Sequence, residues 1–176
     1  GWIVYTGDLR LHGKMGYKTR EFANEVAKLQ PIVLLCEGTN INEEGDAVTE
    51  DEVLENALEK VREAEGKLVV ADFGPRNMER LMTFREIASE CGRKLAVLAK
   101  DAYLLQSIHY VIPEIPDPIV DGTLVVYEEV KNVMNWEKDL VQRYKDKGKT
   151  VQPEDIRCDE GSYILCLSFW DINELI

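Results

Sequence analysis

Apolar residues along this chain fall into two alternating kinds of block. Short runs with little polar interruption lie at Trp2-Ile3-Val4-Tyr5, Ile32-Val33-Leu34-Leu35-Cys36, Lys67 to Phe73, Lys94 to Leu98, Leu124-Val125-Val126-Tyr127 and Tyr163 to Phe169. They have the length of strands, and their lack of strict alternation suits strands covered on both faces. Between them apolar residues recur at helical spacing: Phe22, Ala23, Val26, Ala27 and Leu29, then Val53, Leu54, Ala57, Leu58 and Val61, then Met78, Leu81, Met82 and Ile87. The punctuation agrees with this division. Thr19 can cap the first helix and Pro31 stop it, Thr49-Glu50-Asp51-Glu52 has capping-box form, Gly66 and Gly92 close helices, and Gly74-Pro75 puts a proline at a first helical position. Further helices are expected over Ala102 to Ile108 and Glu129 to Tyr144, and Val111 to Pro118, with three prolines, is expected to be an extended connection. Strand and helix alternate through nearly the whole chain. This predicts a doubly wound, mostly parallel α/β sheet with helices on both faces.

At 176 residues the chain has the size of one ordinary domain and can bury a core without disulfides or metal. A composition of 45% hydrophobic and 31% charged residues excludes a disordered or fibrous class. No apolar run reaches membrane-spanning length and the N-terminus lacks a basic-then-apolar leader, so a soluble, cytoplasmic protein is expected. The chain begins without methionine and almost inside a strand, as an excised piece of a longer protein would. Cys36, Cys91, Cys158 and Cys166 show no C-x-x-C spacing, and because Cys36 and Cys166 lie within apolar strand runs, buried reduced thiols are expected rather than a zinc or disulfide site. A net charge of −12 argues against a protein that grips nucleic acid with its whole surface. The sign is uneven, however. Arg10, Lys14, Lys18, Arg20 and Lys28 outnumber Glu21 and Glu25, whereas acids dominate from Glu43 to Glu65.

The main chemical signal is that two strand-like runs each end on an acid. Asp8 follows Thr6-Gly7, and Glu37 precedes Gly38-Thr39-Asn40. Acids so placed sit at the C-terminal edges of strands, where open α/β sheets bind ligands. On the residues alone, the plainer role for Glu37 is to cap the amides of Thr39 and Asn40 in a turn.

The order of these motifs resembles the β-CASP branch of the metallo-β-lactamase superfamily, the RNA-processing nucleases related to ribonuclease J and to the mRNA 3′-end endonucleases. The resemblance is carried by Thr6-Gly7-Asp8, by Leu34-Leu35-Cys36-Glu37-Gly38-Thr39-Asn40, and by Val70-Ala71-Asp72-Phe73-Gly74-Pro75-Arg76-Asn77 with Gly92-Arg93-Lys94-Leu95-Ala96-Val97. It is strongest from Ile3 to Val97. It implies that residues 1–17 are an edge strand and loop of the metallo-β-lactamase domain and that 18–176 are a β-CASP α/β domain incomplete at its C-terminus. It implies a zinc-dependent hydrolase, with two zinc ions in the intact parent, Asp8 as the bridging metal ligand, and Glu37 orienting a catalytic histidine. The superfamily's H-x-H-x-D-H signature is absent, and the chain has only His12 and His109. The remaining ligands are therefore expected outside this chain, which alone would neither bind zinc nor cut RNA.

Arg76 and Asn77, which follow a glycine-proline turn at a helix start, are candidate contacts to RNA phosphates; Thr39 and Asn40, just after Glu37, and His12, four residues past Asp8, are further candidates for substrate binding. Asp72, Trp136, Tyr144 and Trp170 have structural roles as the plainer expectation, with base stacking as the functional alternative for the aromatic residues. The implied partners are single-stranded RNA and the rest of the β-lactamase domain, with a homodimer also compatible. Two other readings remain open. One is a non-catalytic nucleotide- or phosphate-binding module using Gly38-Thr39-Asn40 and Gly74-Pro75-Arg76-Asn77, although neither G-x-G-x-x-G nor a P-loop occurs. The other is a protein-interaction domain whose acidic helix, Glu50 to Glu65, binds a basic partner.

Overall fold

In the computed structural model, which describes residues 1–9, 11, 13, 15–38, 48–74, 76–128 and 134–168, the first two apolar runs pair with each other. Strand β1 (Ile3–Tyr5), helix α1 (Gly16–Leu29) and strand β2 (Val33–Leu35) form a two-stranded parallel sheet with its connecting helix, in register Ile3 to Val33 and Tyr5 to Leu35. Thr19 does not cap α1. The helix starts three residues earlier at Gly16, where a Cβ would collide with the Leu11 carbonyl, and it ends at Gln30 in the left-handed region with φ 48°. Leu34 lines an apolar groove with Phe22, Ala23, Val26 and Ala27 of α1. By strand alternation Ile3, Tyr5, Val33 and Leu35 point to the other face, and all four are exposed. Cys36, on the groove side with Leu34, is nonetheless exposed, contrary to the expectation of a buried thiol. All four cysteines are free, and Cys166 is buried.

Contacts divide the chain into two compact units, Gly1–Glu55 and Asn56–Ile176. The expected division after Tyr17 concerned descent rather than compactness, and it falls inside α1. Helix α2 (Glu50–Glu63) opens with the expected capping box: the Thr49 hydroxyl accepts from the Glu52 amide at 3.2 Å, and the Glu52 carboxylate accepts from the Thr49 amide at 2.7 Å.

The second unit contains strand β3 (Val69–Ala71), helix α3 (Met78–Glu90), β4 (Lys94–Val97), α4 (Ala99–His109), β5 (Leu124–Tyr127), α5 (Asn135–Lys145), β6 (Thr150–Val151), α6 (Pro153–Cys158) and β7 (Tyr163–Cys166). Its five strands are all parallel in the order β3-β7-β4-β5-β6. Three crossovers advance in one direction, so the right-handed rule puts α3, α4 and α5 on one face. The return from β6 to β7 puts α6 on the other. Ala96, Leu98, Tyr127, Val151, Leu165 and Leu167 pack with Ile156 of α6 on that second face. The alternate residues Leu95, Val97, Leu124, Val126 and Ile164 are buried toward the first. The doubly wound α/β architecture is therefore as expected.

Two stretches differ from the sequence reading. Residues 111–121 fold as consecutive turns rather than as an extended strap: the amides of Val111 and Ile112 donate to Ile108, that of Ile115 to Ile112, and that of Asp121 to Asp117. Proline forbids a helix here but fits the second position of a β-turn, as Pro113 does between Ile112 and Ile115. The expected helix from Glu129 begins at Asn135, with residues 129–133 outside the described ones. Among the described residues no helix is long and apolar enough to cross a membrane.

Asp121 ties the start of β5 to α3. One carboxylate oxygen accepts from the Thr123 and Leu124 amides at 2.8 and 3.0 Å, and the other from Arg85 Nε at 2.9 Å and from Arg85 Nη2. Burial raises the carboxyl pKa, but the Arg85 bonds and the two amides outweigh it and hold the group below its ordinary value of 3.8. A depressed carboxyl pKa stabilises the fold above the unfolded-state value, and the contribution disappears as pH falls through the folded-state value. Asp121→Asn is expected to cost about 2 kcal/mol at pH 7, less than a fully buried pair because Arg85 can rehydrate. Urea unfolding should show this difference shrinking below pH 4. A gap that stays constant down to pH 3 would contradict the ionic account.

Candidate functional site

Because β1 and β2 are parallel, the turns that follow them emerge at the same edge. Gly7, at φ 60°, takes the left-handed conformation that turns the chain between Thr6 and Asp8. The Thr6 amide donates to the Leu35 carbonyl at 3.0 Å, extending the ladder, and the Glu37 amide donates to the Thr6 hydroxyl at 3.4 Å. Across this edge Glu37 Oε1 accepts from the Leu9 amide at 3.2 Å. The Glu37 carboxylate thus holds the residue immediately after Asp8, while the Asp8 side chain is exposed. Two acids identified separately in the sequence share one edge and one hydrogen-bonded turn. Thr39, Asn40 and His12 lie outside the described residues, as do Arg10 and Lys14.

A zinc site takes about four ligands. Asp8 has the chemistry and exposure of one donor, and Glu37 is engaged in holding the turn. Among the described residues no group of three or more His, Cys, Asp or Glu side chains is arranged to hold a metal. The residues present therefore fit one corner of such a site and not the whole of it.

The second unit has a crevice of about 250 Å³ at the carboxyl ends of three neighbouring strands. Ala71, Leu98 and Cys166 lie at its floor, and Arg76, Lys100, Asp101 and Ser168 bring polar groups to it. This is the edge at which α/β sheets receive ligands. Arg76 is exposed, with a left-handed φ of 67°. Asn77 is not presented to the crevice in the way its neighbour is: its Oδ1 caps α3 by accepting from the Arg80 amide at 3.1 Å. The amides of Asn77 and Met78 donate to Gly74 and Arg76 carbonyls. An anion here would be met by side chains, Arg76 above all, because these backbone donors are already engaged. Burial, reinforced by the charge of Asp101, raises the Cys166 pKa, so the thiol is protonated and no nucleophile at neutral pH.

Lys100 and Ser168 were missed in the sequence. Lys100 was within reach of it, as the second residue of a helix that starts directly after a strand; Ser168 has no comparable signal. Tyr144 is buried, as expected of a packing residue, but Trp136 is half-exposed and in ring contact with Tyr103. Trp170 lies outside the described residues.

No family model matches the chain, and no curated protein matches it. Among solved structures it is similar to a crystal structure of a protein of unknown function from Enterococcus faecalis V583, with a TM-score of 0.64 and 19% identity. The alignment covers 96% of this chain and 36% of that one. The chain thus spans about a third of that protein's length. At this identity the likeness establishes a shared fold.

Proposed function

We propose that this chain is the β-CASP portion of a zinc-dependent, metallo-β-lactamase-fold ribonuclease, in which it walls the active-site cleft and holds single-stranded RNA. The observation that carries this reading is the Glu37 bond to the Leu9 amide, which puts a strand-terminal glutamate and Asp8 on one edge. When bound, a pair of zinc ions supplies a hydroxide nucleophile and stabilises charge on the transferring phosphorus. This chain's part is to present one carboxylate, Asp8, from a turn that Gly7 shapes and Glu37 fixes. Protein of this kind works in the cytoplasm against the rest of the β-lactamase domain, and a homodimer is compatible with it.

The test uses the parent polypeptide and single-stranded RNA labelled at either end. Cleavage that chelation abolishes and added zinc or manganese restores is expected. The 176-residue chain alone should neither cut RNA nor retain stoichiometric zinc. A parent without cleavage, or a chain that cuts unaided, would sink the reading.

The crevice at β3, β4 and β7 favours one second reading, a non-catalytic module for a nucleotide or phosphate held by Arg76 and Lys100. A melting temperature raised by nucleotides in the absence of any cleavage by the parent would select it.

A further inference from the structure

Two aromatic side chains of the second unit touch each other in the open. Tyr103 of α4 and Trp136 of α5 are 53% and 41% exposed, with ring centroids 5.3 Å apart and planes inclined by 57°. The tilt matters. Phe73 and Phe84 stack nearly parallel at 9° and so cover each other's flat faces, whereas an inclined pair leaves flat aromatic surface unused.

The surroundings of the pair select its ligand. Lys100 lies three residues before Tyr103, on the same side of α4 and about 4.5 Å along its axis. Lys100 also lines the crevice that Arg76 enters. A flat apolar surface therefore stands one helical turn from Lys100, which shares its crevice with Arg76. That combination matches a nucleotide of a single strand, whose base stacks while its phosphate meets a positive side chain. Asp101 in the crevice and Asp139, one turn beyond Trp136, keep this region from being uniformly basic, so stacking must supply most of the affinity.

We infer that Tyr103 and Trp136 form a platform for one base of a single-stranded RNA, with Lys100 and Arg76 receiving the adjoining phosphates. The choice of RNA rests on the nuclease reading above. The stacking itself tolerates any base, because every base has a flat face. Since both rings are half-exposed, their replacement leaves the core intact.

The experiment measures fluorescence anisotropy of labelled oligouridylate, twelve nucleotides long, with the full 176-residue chain. Trp136→Ala and Tyr103→Ala are each expected to weaken binding roughly tenfold, Trp136→Phe to retain most of it, and a duplex of the same length to compete poorly. With two phosphate contacts, log affinity should fall against log salt with a slope of about −1.4, reduced by half in Lys100→Gln. Far-UV circular dichroism checks that each variant is folded. Wild-type chain that does not bind the oligonucleotide, or Trp136→Ala that binds it equally well, overturns the inference. So does a concentration-dependent dimer that Trp136→Ala abolishes in sedimentation, which would make the patch a contact between copies. Cleavage by the parent with binding indifferent to Trp136 removes this inference alone. Platform-dependent binding by a chain whose parent does not cut removes the nuclease reading alone.

Discussion

Under the proposed nuclease function, Asp8→Asn is expected to lower the RNA-cleaving rate of the parent polypeptide at least about a thousandfold, equivalent to roughly 4 kcal/mol of transition-state stabilisation. Asparagine keeps the shape of aspartate and loses its charge, so it cannot serve as an anionic ligand. The side chain is exposed, and the turn around it is set by Gly7, Thr6 and Glu37, so the fold should be unchanged. Glu37→Gln makes the informative contrast. A glutamine carbonyl can still accept from the Leu9 amide, so the turn survives, and only the charge used to orient a neighbouring group is lost. A drop of roughly tenfold to a hundredfold is expected, the range typical of groups that position a ligand. Single-turnover cleavage of end-labelled RNA measures both. Equal, small effects of the two substitutions would show that neither acid serves the reaction.

Arg93→Ala is expected to destabilise the chain by about 3 kcal/mol in urea unfolding. Arg93 follows α3, is only 7% exposed, and gathers carbonyls from three separate elements. Its Nη1 donates to Lys67 at 2.8 Å and Tyr163 at 3.4 Å, and its Nη2 to Ala64 at 2.8 Å and Val61 at 3.3 Å. Val61 lies in the last turn of α2 and Ala64 directly follows it, where orphan carbonyls and the helix dipole both favour a cation. Lys67 precedes β3 and Tyr163 opens β7, and the two strands are paired neighbours. Truncation leaves acceptors without their donor and a hole where the guanidinium lay, and each orphaned buried group costs about 1–3 kcal/mol. Arg93→Lys should recover only part of the loss, because an ammonium cannot span the positions of a planar fork. A change below about 0.5 kcal/mol in Arg93→Ala would mean that the carbonyls rehydrate freely.

The architecture was legible because a parallel sheet writes itself as apolar runs separated by amphipathic helices. The run at Leu124–Tyr127 and the capping box at Thr49 were read to the residue. What escaped was short or decided by contacts distant in sequence. Strand β6 has two residues and α6 has six, too few for any period to emerge. Thr19 was a reasonable cap by local chemistry, yet the helix start is set by Gly16 fitting beneath the Leu11 carbonyl, which no propensity encodes. For the site, the common edge of Asp8 and Glu37 could be foreseen, since parallel strands bring their ends together. The Leu9 amide as partner of Glu37 could not, because the local turn offered nearer donors in the sequence. Arg76 and Asn77 looked alike as residues after a glycine-proline turn, but one ended as an exposed cation and the other as a helix cap. The meeting of Tyr103 with Trp136 depends on how α4 and α5 lie together, and no spacing announces it.

The place of β7 between β3 and β4 bears on how the polypeptide is made. β3 has no other partner among the described strands, and β4 keeps an open side until Tyr163–Cys166 has been synthesised. A nascent chain halted before that segment carries a vacant slot between β3 and β4, with apolar edges on both sides, and is a natural client for chaperones. Assembly of this unit is therefore completed by insertion between two strands already made rather than by growth at its rim.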